Sequence, residues 1–394
     1  MEIVARLRTG FAAERLLCHP RLPLIAGWEP DRPALRIWEC GDGQLQELAV
    51  IGDGAVPYGR EYGSDRLNRT PDAAWHPENP QLVVAGTDIL LSWTPAGTAA
   101  VATEQPSIGF RQVAFSPDGH TLWLSPAPHW EHDWQRSIAL DPATGATVVA
   151  PGWDTGVAAH PAGGLVVTMT SDQAETEVHF ATITDGAPAR MRPLRRALSL
   201  ACDGYETPVF SADGRYFAIR GGAYEHFVEV FAFPSLHRVA GFGLGEPHTD
   251  PAATWSFRNI TFGAAPAVLW IGTPAGRLIE YDVDGGRLDE HPPVTSQITA
   301  LATTSAGVLA VASTDGDLLL LAVGTGPAPA ARDGVAAFLD ATGPVAAFLD
   351  ATGPVAPRSD EDENEDENDD RFDFVESPQA PWIHLTPGAA PGRS

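Results

Sequence analysis

The sequence predicts an all-β protein in which a four-stranded unit repeats around a ring, and three observations carry that prediction. The first is the stretch from Gln112 to Ser125. Val113 and Phe115 alternate along a short strand, Pro117, Asp118 and Gly119 supply a tight turn, and Thr121 to Leu124 resume the strand pattern. Proline presets φ, aspartate bonds to its own backbone, and glycine accepts positive φ. The second is that looser copies of this unit recur along the chain. The third is punctuation: 39 glycines and 35 prolines break up a chain that is 44% hydrophobic and holds 11 tryptophans. Many short strands with frequent turns leave that composition.

The turn after each first strand serves as a marker: His19-Pro20, His76-Pro77, Ser116 to Gly119, His160 to Gly163, Ser211 to Gly214, Phe262-Gly263 and Ser305 to Gly307. Consecutive markers lie roughly 40 to 57 residues apart, near the length of a four-stranded propeller blade. A short apolar strand precedes each marker, at 15–18, 73–75, 113–115, 157–159, 207–210, 260–262 and 298–303. Second strands follow at 22–27, 82–86, 121–125, 165–170, 216–220, 268–272 and 308–313. Third strands follow at 35–39, 89–93, 137–141, 177–182, 227–233, 278–283 and 318–323. Fourth strands are weaker, as suits an outer, half-exposed position: 45–51, 99–103, 147–150, 189–194, 238–243 and 288–290.

The seventh repeat lacks a fourth strand, and the N-terminus holds an unassigned one, Glu2 to Leu7. Placing that strand at the outside of the last blade closes the ring and removes an exposed interface. The expected fold is therefore a seven-bladed β-propeller over residues 1–325, closed by the N-terminal strand. Six blades is the runner-up, because the repeat at 70–104 is short. The segments VAFSPDGHTLWLS (113–125) and PVFSADGRYFAI (208–219), with LRIW (35–38) and LLSW (90–93), make the chain resemble the WD40-repeat family. The Gly-His pair that precedes first strands in that family is missing, and third strands rarely end in Trp-Asp. The resemblance implies a divergent bacterial member, and its structural Asp-His-Ser/Thr-Trp network is not carried over.

The formal charge is −26, and all 25 basic residues are arginine. So acidic a chain disfavours nucleic acid and anionic membrane as partners, since phosphate contact requires a basic surface. No apolar run approaches the ~18 residues of a membrane span, and the N-terminal stretch has no apolar signal region. Cys18, Cys40 and Cys202 are widely spaced, which points to buried thiols in a reducing cytoplasm rather than a disulfide framework.

Residues 326–394 read as a disordered, low-complexity acidic tail. It opens on a ten-residue duplication, VAAFLDATGP at 335–344 and again at 345–354. Residues 358–376 then hold eleven acidic side chains against two arginines, too little apolar surface to offset chain entropy. RFDFV (371–375), near its end, and PWIHL (381–385), beyond it, are apolar motifs.

Long loops fall on one face of the expected ring, the face of the inter-blade loops and of the connections between second and third strands. They carry Tyr58, Arg60, Tyr62, Arg66 and Arg69 after blade one, and His129, Trp130, His132 and Trp134 within blade three. Tyr205, Tyr224, His226, His248 and Trp255 follow on blades four to six. Aromatics and arginine are the residue types of interface anchors, although long loops also use aromatics as cores of their own. His129 to Asp133 is the most metal-like string, but a loop HxxH lacks the helical spacing of a zinc site. The His-Pro pairs at 19, 76 and 160 occupy a slot filled elsewhere by serine, which marks them as turn chemistry. Arg190, Arg192, Arg195 and Arg196 form a basic patch that reads first as a solvated outer edge, where charge discourages edge pairing, with docking of the acidic tail as the sharper alternative.

No serine-hydrolase elbow, phosphate loop or dinucleotide-binding motif is present. The reading is a non-catalytic scaffold that presents its loop-rich face to a protein or peptide partner, with no cofactor and with the tail as a regulatory segment. The alternative is a hydrolase- or lactonase-like propeller with a metal or substrate in its central channel.

Overall fold

The computed structural model describes residues 1–41, 43–59, 66, 69–86, 89–103, 109–126, 137–153, 156–171, 176–200, 204–222, 226–245, 254–324, 332–343, 372–375 and 380–385. These residues form seven antiparallel sheets in chain order, the blades of a seven-bladed propeller. Blade one spans 16–51, blade two 72–100, blade three 110–149, blade four 157–200, blade five 209–245 and blade six 260–290. Blade seven takes its three inner strands from 298–322 and its outer strand, Glu2–Arg8, from the N-terminus. That strand runs antiparallel to Asp317–Ala322 with Arg8 opposite Asp317, and Arg6 forms an ion pair with the buried Asp317 carboxylate. The short repeat after residue 70 is a full blade, so the count is seven.

Alternation within each strand explains how the ring is filled. Each blade buries both faces, one against each neighbour, so the second strand of blade one, Leu24–Trp28, is buried along its whole length. The core divides into seven apolar clusters, each bridging two adjacent blades. Trp28 and Ile37 of blade one meet Trp75 and Leu82 of blade two. Trp38 and Ile25 meet Ala310 and Leu318 of blade seven. Trp123 of blade three meets Val166 and Met191 of blade four. No helix among the described residues is long and apolar enough to cross a membrane.

The turns that mark the repeats also stitch the blades together. Ser116 Oγ and Ser211 Oγ each bond the aspartate two residues on and accept the N–H five residues on. The histidine turns do the same with imidazole. His19 Nδ1 accepts the N–H groups of Arg21 and Leu22 at 3.0 Å, and His76 Nδ1 accepts those of Glu78 and Asn79. The expected turn role of these histidines is therefore what the structure holds. Their far nitrogens reach the next blade: His19 Nε2 bonds the Asn79 carbonyl at 2.8 Å and His160 Nε2 the Gly214 carbonyl at 3.0 Å. Gly119 and Gly214 have positive φ and leave the space the neighbouring imidazole fills. A Cβ on Gly214 would sit 2.4 Å from His160 Cε1. Burial pushes the pKa of His19, His76 and His160 down, so all three act as neutral rings.

Three pieces of the segment after residue 325 lie on the ring, whereas the sequence reads that segment as one disordered tail. The helix Arg332–Ala341 packs between blades four and five. Asp373–Val375 adds a fifth strand, parallel, to the outer strand of blade four (Met191–Leu200). Trp382–His384 adds one in the same way to the outer strand of blade five (Arg238–Gly245). The reason is apolar side chains spaced through a polar segment, each meeting an unpaired strand edge or groove. The acidic run 358–371 lies outside the described residues.

Candidate functional site

Two places on the ring concentrate chemistry: the mouth of the central channel and the outer edges of blades four and five. The channel is lined by the first strands of the blades and encloses a cavity of about 360 Å³. Charged residues stand at or just before the starts of these strands. Arg15 Nη1 lies 2.5 Å from Asp72 Oδ1, while Asp72 Oδ2 accepts the Val113 N–H at 2.8 Å. One carboxylate thereby ties blades one, two and three. The Arg15 guanidinium also stacks 4.5 Å from the Trp28 ring. Across the channel Arg258 pairs with Glu206. Burial lowers the Arg258 pKa and the Glu206 carboxylate opposes that shift.

Arg220, near the end of the second strand of blade five, is 1% exposed and has no carboxylate among its hydrogen-bond partners in the described residues. It donates to Asn259 Oδ1 at 3.1 Å and to the Phe227 carbonyl at 3.2 Å, and meets His226 Nδ1 at 2.6 Å. Burial lowers its pKa, but a guanidinium stays protonated at any physiological pH, so blade five places a buried positive charge in the wall of the channel cavity. The two carboxylates lining the cavity, Asp72 and Glu206, each face an arginine.

The residues expected on the loop-rich face divide into two groups. Arg60, Tyr62, His129, Trp130, His132, Trp134, Tyr224 and His248 lie outside the described residues. Tyr58, Arg66, Tyr205, His226 and Trp255 are described. Tyr58 is buried, with the guanidinium groups of Arg66 and Arg69 5.0 and 5.5 Å from its ring centre, and its hydroxyl accepts from Thr70 at 3.1 Å. Arg66 pairs with Glu14 and donates to the Pro30 carbonyl. Tyr205 donates to Glu229 Oε2 at 3.1 Å and meets Phe227 edge-on. Trp255 is buried in the cluster between blades five and six. On blade five His226 meets Arg220 while Tyr205 meets Glu229 and Phe227, whereas Tyr58 and Arg66 form a separate cluster beside blade one. Among the described residues no group of three His, Cys, Asp or Glu is placed to hold a metal ion.

The edges hold an extended peptide, and the peptide is the chain's own. On blade four Arg196, Ala197 and Leu198 pair with Asp373, Phe374 and Val375. Arg195 Nη2 lies 3.2 Å from Asp373 Oδ1, so an arginine of the expected basic patch meets a carboxylate of the tail. Phe372 packs 4.7 Å from the His179 ring. On blade five Gly241, Phe242 and Gly243 pair with Trp382, Ile383 and His384. Both glycines make room for large side chains. A Cβ on Gly241 would lie 2.9 Å from the Trp382 ring, and one on Gly243 2.9 Å from His384 Nδ1. Arg238 completes the seat, its guanidinium 4.5 Å from the Trp382 ring and bonded to the Ala380 carbonyl at 2.9 Å. Ile383 and Leu385 pack into the apolar cluster beyond.

Sequence reasoning missed the channel ion pairs and the glycine seat. The run Arg238-Val-Ala-Gly-Phe-Gly-Leu-Gly was the available signal: three glycines at alternate positions in a strand mark a close approach of another chain segment.

No family model matches the chain, and no curated protein does. Solved structures do. Hydrazine synthase from Kuenenia stuttgartiensis superposes with a TM-score of 0.54 at 12% identity, covering 80% of this chain and 97% of that one. The Cps50 (Swd1) β-propeller domain of Myceliophteria thermophila superposes at 0.53 and 12% identity, covering 82% and 99%. At such identity the likeness defines a class by fold, the β-propellers. It assigns no activity, since one neighbour is a synthase and the other a propeller domain.

Proposed function

We propose that this protein is a non-catalytic, WD40-like interaction scaffold that binds extended protein segments, with its tail as the regulatory segment. The observation that carries the reading is the tail itself. A ring that takes two of its own segments as added strands, on adjacent blades, has the equipment of a strand-addition receptor: backbone hydrogen bonds for affinity and side-chain seats for selection. The tail then competes with a partner segment for the same edges. The loop-rich face, with Trp130 and Trp134, is the second surface of the scaffold. The ion pairs at the channel mouth fit a structural role, because each carboxylate is already matched.

The test uses a synthetic peptide covering residues 371–386 as probe. In the full chain carrying Phe374→Pro and Ile383→Pro, which weakens the pairing of both resident strands, the probe binds in trans; in the unmodified chain it binds at least about tenfold more weakly. Absence of binding to the modified chain, measured by fluorescence anisotropy, sinks the strand-receptor reading. Trp130→Ala with Trp134→Ala leaves this probe's affinity unchanged and removes only what the loop-rich face captures.

A further inference from the structure

The helix Arg332–Ala341 is held in a groove between blades four and five. Val335, Phe338 and Leu339 form its packed face, spaced i, i+3, i+4. Phe338 is fully buried, its ring 4.8 Å from Phe180 and 5.1 Å from Phe233, with the Arg196 guanidinium 5.5 Å away. Beyond the helix, Thr342 Oγ1 accepts the Arg196 N–H at 2.9 Å and the Gly343 carbonyl accepts the Arg195 N–H at 2.7 Å. These docking groups, from Val335 to Gly343, all belong to one ten-residue unit, VAAFLDATGP.

The chain carries that unit twice without a change. Val345, Phe348, Leu349, Thr352 and Gly353 repeat the groups that meet the groove, in the same order and spacing. The second copy lies outside the described residues. Only the lead-in differs, Arg332-Asp333-Gly334 before the first copy and Thr342-Gly343-Pro344 before the second. Asp333 favours a helix start by its charge in the first turn, and Pro344, in the place of Gly334, falls in a first turn whose N–H groups have no intrahelical partner to lose. The two leads are thus comparable.

We infer that the groove is a docking site for the VAAFLDATGP unit and that the two copies occupy it in turn within one molecule. The tether permits the exchange. Gly343 is bonded at Arg195 and Asp373 pairs with Arg196, so the chain leaves and rejoins the same strand one residue apart. Thirty positions separate Gly343 from Asp373, and twenty separate Gly353 from it. Shortening the downstream loop favours the second copy by only about twofold, and lengthening the connection from Gly324 by the same ten residues disfavours it by about as much. Both copies are tethered to the groove at an effective concentration of roughly millimolar, so another molecule's copy does not compete in dilute solution. Exchange shifts the acidic run ten residues nearer the groove while both added strands stay in place.

The test is made on the full-length chain. A photo-crosslinking benzoylphenylalanine replaces Phe338 in one sample and Phe348 in another, and the adducts are mapped by mass spectrometry. Both positions are expected to label residues 191–200 and 231–236, with yields within about threefold of each other. Absence of groove adducts from position 348, or adducts formed only between molecules in an isotopically mixed sample, overturns the inference. Hydrogen exchange gives an independent reading at the Arg195 amide. Phe338→Ala or Phe348→Ala alone lowers its protection by no more than about threefold, and the double variant by more than about tenfold. Equal loss in Phe338→Ala and the double variant also overturns it.

Discussion

The outer strands of blade two and blade four occupy the same place in their sheets and look nothing alike. Gly97–Ala100 is four residues long and exposed throughout. Met191–Leu200 is ten residues long and mostly buried, with Leu194, Ala197 and Leu198 almost free of solvent. The difference lies in what covers them. The blade four strand is roofed by the helix Arg332–Ala341 on one side and by Asp373–Val375 along its edge. Blade two ends in small residues that need no cover. The long apolar outer strand of blade four is therefore a docking surface for the tail.

Removing the cover is the strongest way to test that contrast. Deleting 332–394 uncovers the Phe338 seat and both added edges. It is expected to cost at least about 3 kcal/mol in denaturant unfolding, the scale of losing one buried phenylalanine. Thr98→Val on the outer strand of blade two should change stability by less than about 0.5 kcal/mol. Similar small effects at the two places would break the comparison.

A narrower change separates the two added strands. Gly241→Val places side-chain atoms where the Trp382 ring lies, and is expected to expel residues 382–385 at a cost of about 1–3 kcal/mol. The readout is exchange protection at the Leu385 amide, which bonds the Gly243 carbonyl at 2.9 Å. Protection at Val375 should persist, and its loss would mean the strands dock as one unit.

Acid sharpens the contrast between turns and edges. The folded pKa values of His19, His76 and His160 are lowered by burial, so the unfolded chain binds more protons than the folded one below about pH 6.5. Their stabilising contribution is present above that pH and is lost as pH falls through the window towards the lowered folded values. The melting temperature should drop between pH 7.5 and 5.5. His76→Asn combined with His160→Asn should flatten that drop, since a neutral amide caps the same turns. An unchanged slope in the double variant would remove these histidines as its cause.

The smallest effect is expected from Arg195→Ala. Its ion pair with Asp373 is about half exposed on both sides, so the loss should stay below about 1 kcal/mol and fade with added salt. A larger loss would mean that charge, rather than strand pairing, holds the tail.

Much of the ring is legible in the sequence because its units are local. Ser116 bonds Asp118 and Thr121, all within six residues, and His19 bonds Arg21 and Leu22, so the turns announce themselves. First strands at 157–159, 260–262 and 298–303 coincide with those of the structure. The fourth strand of blade four, expected at 189–194, is Met191–Leu200: past a bulge its last residues pair with Thr176–His179, and their outer edge is covered by Asp373–Val375, a partner distant in the chain. The channel was illegible for the same reason. Arg15 and Asp72 are 57 residues apart, and Glu206 and Arg258 are 52 apart, and nothing in either neighbourhood announces the pairing.

By itself the sequence determined the repeated unit, a count of seven blades with six as the alternative, and the closing role of the strand at Glu2 to Leu7. Each follows from short-range turn chemistry and alternation, which act within a few residues. Only the tertiary structure decided that parts of the tail belong to the ring. Phe338, Asp373 and Trp382 each find their seat on a strand more than 130 residues earlier, Phe338 and Asp373 beside Arg196 and Trp382 on Gly241. Such a seat exists only once the blades have closed around their cores and left those edges unpaired.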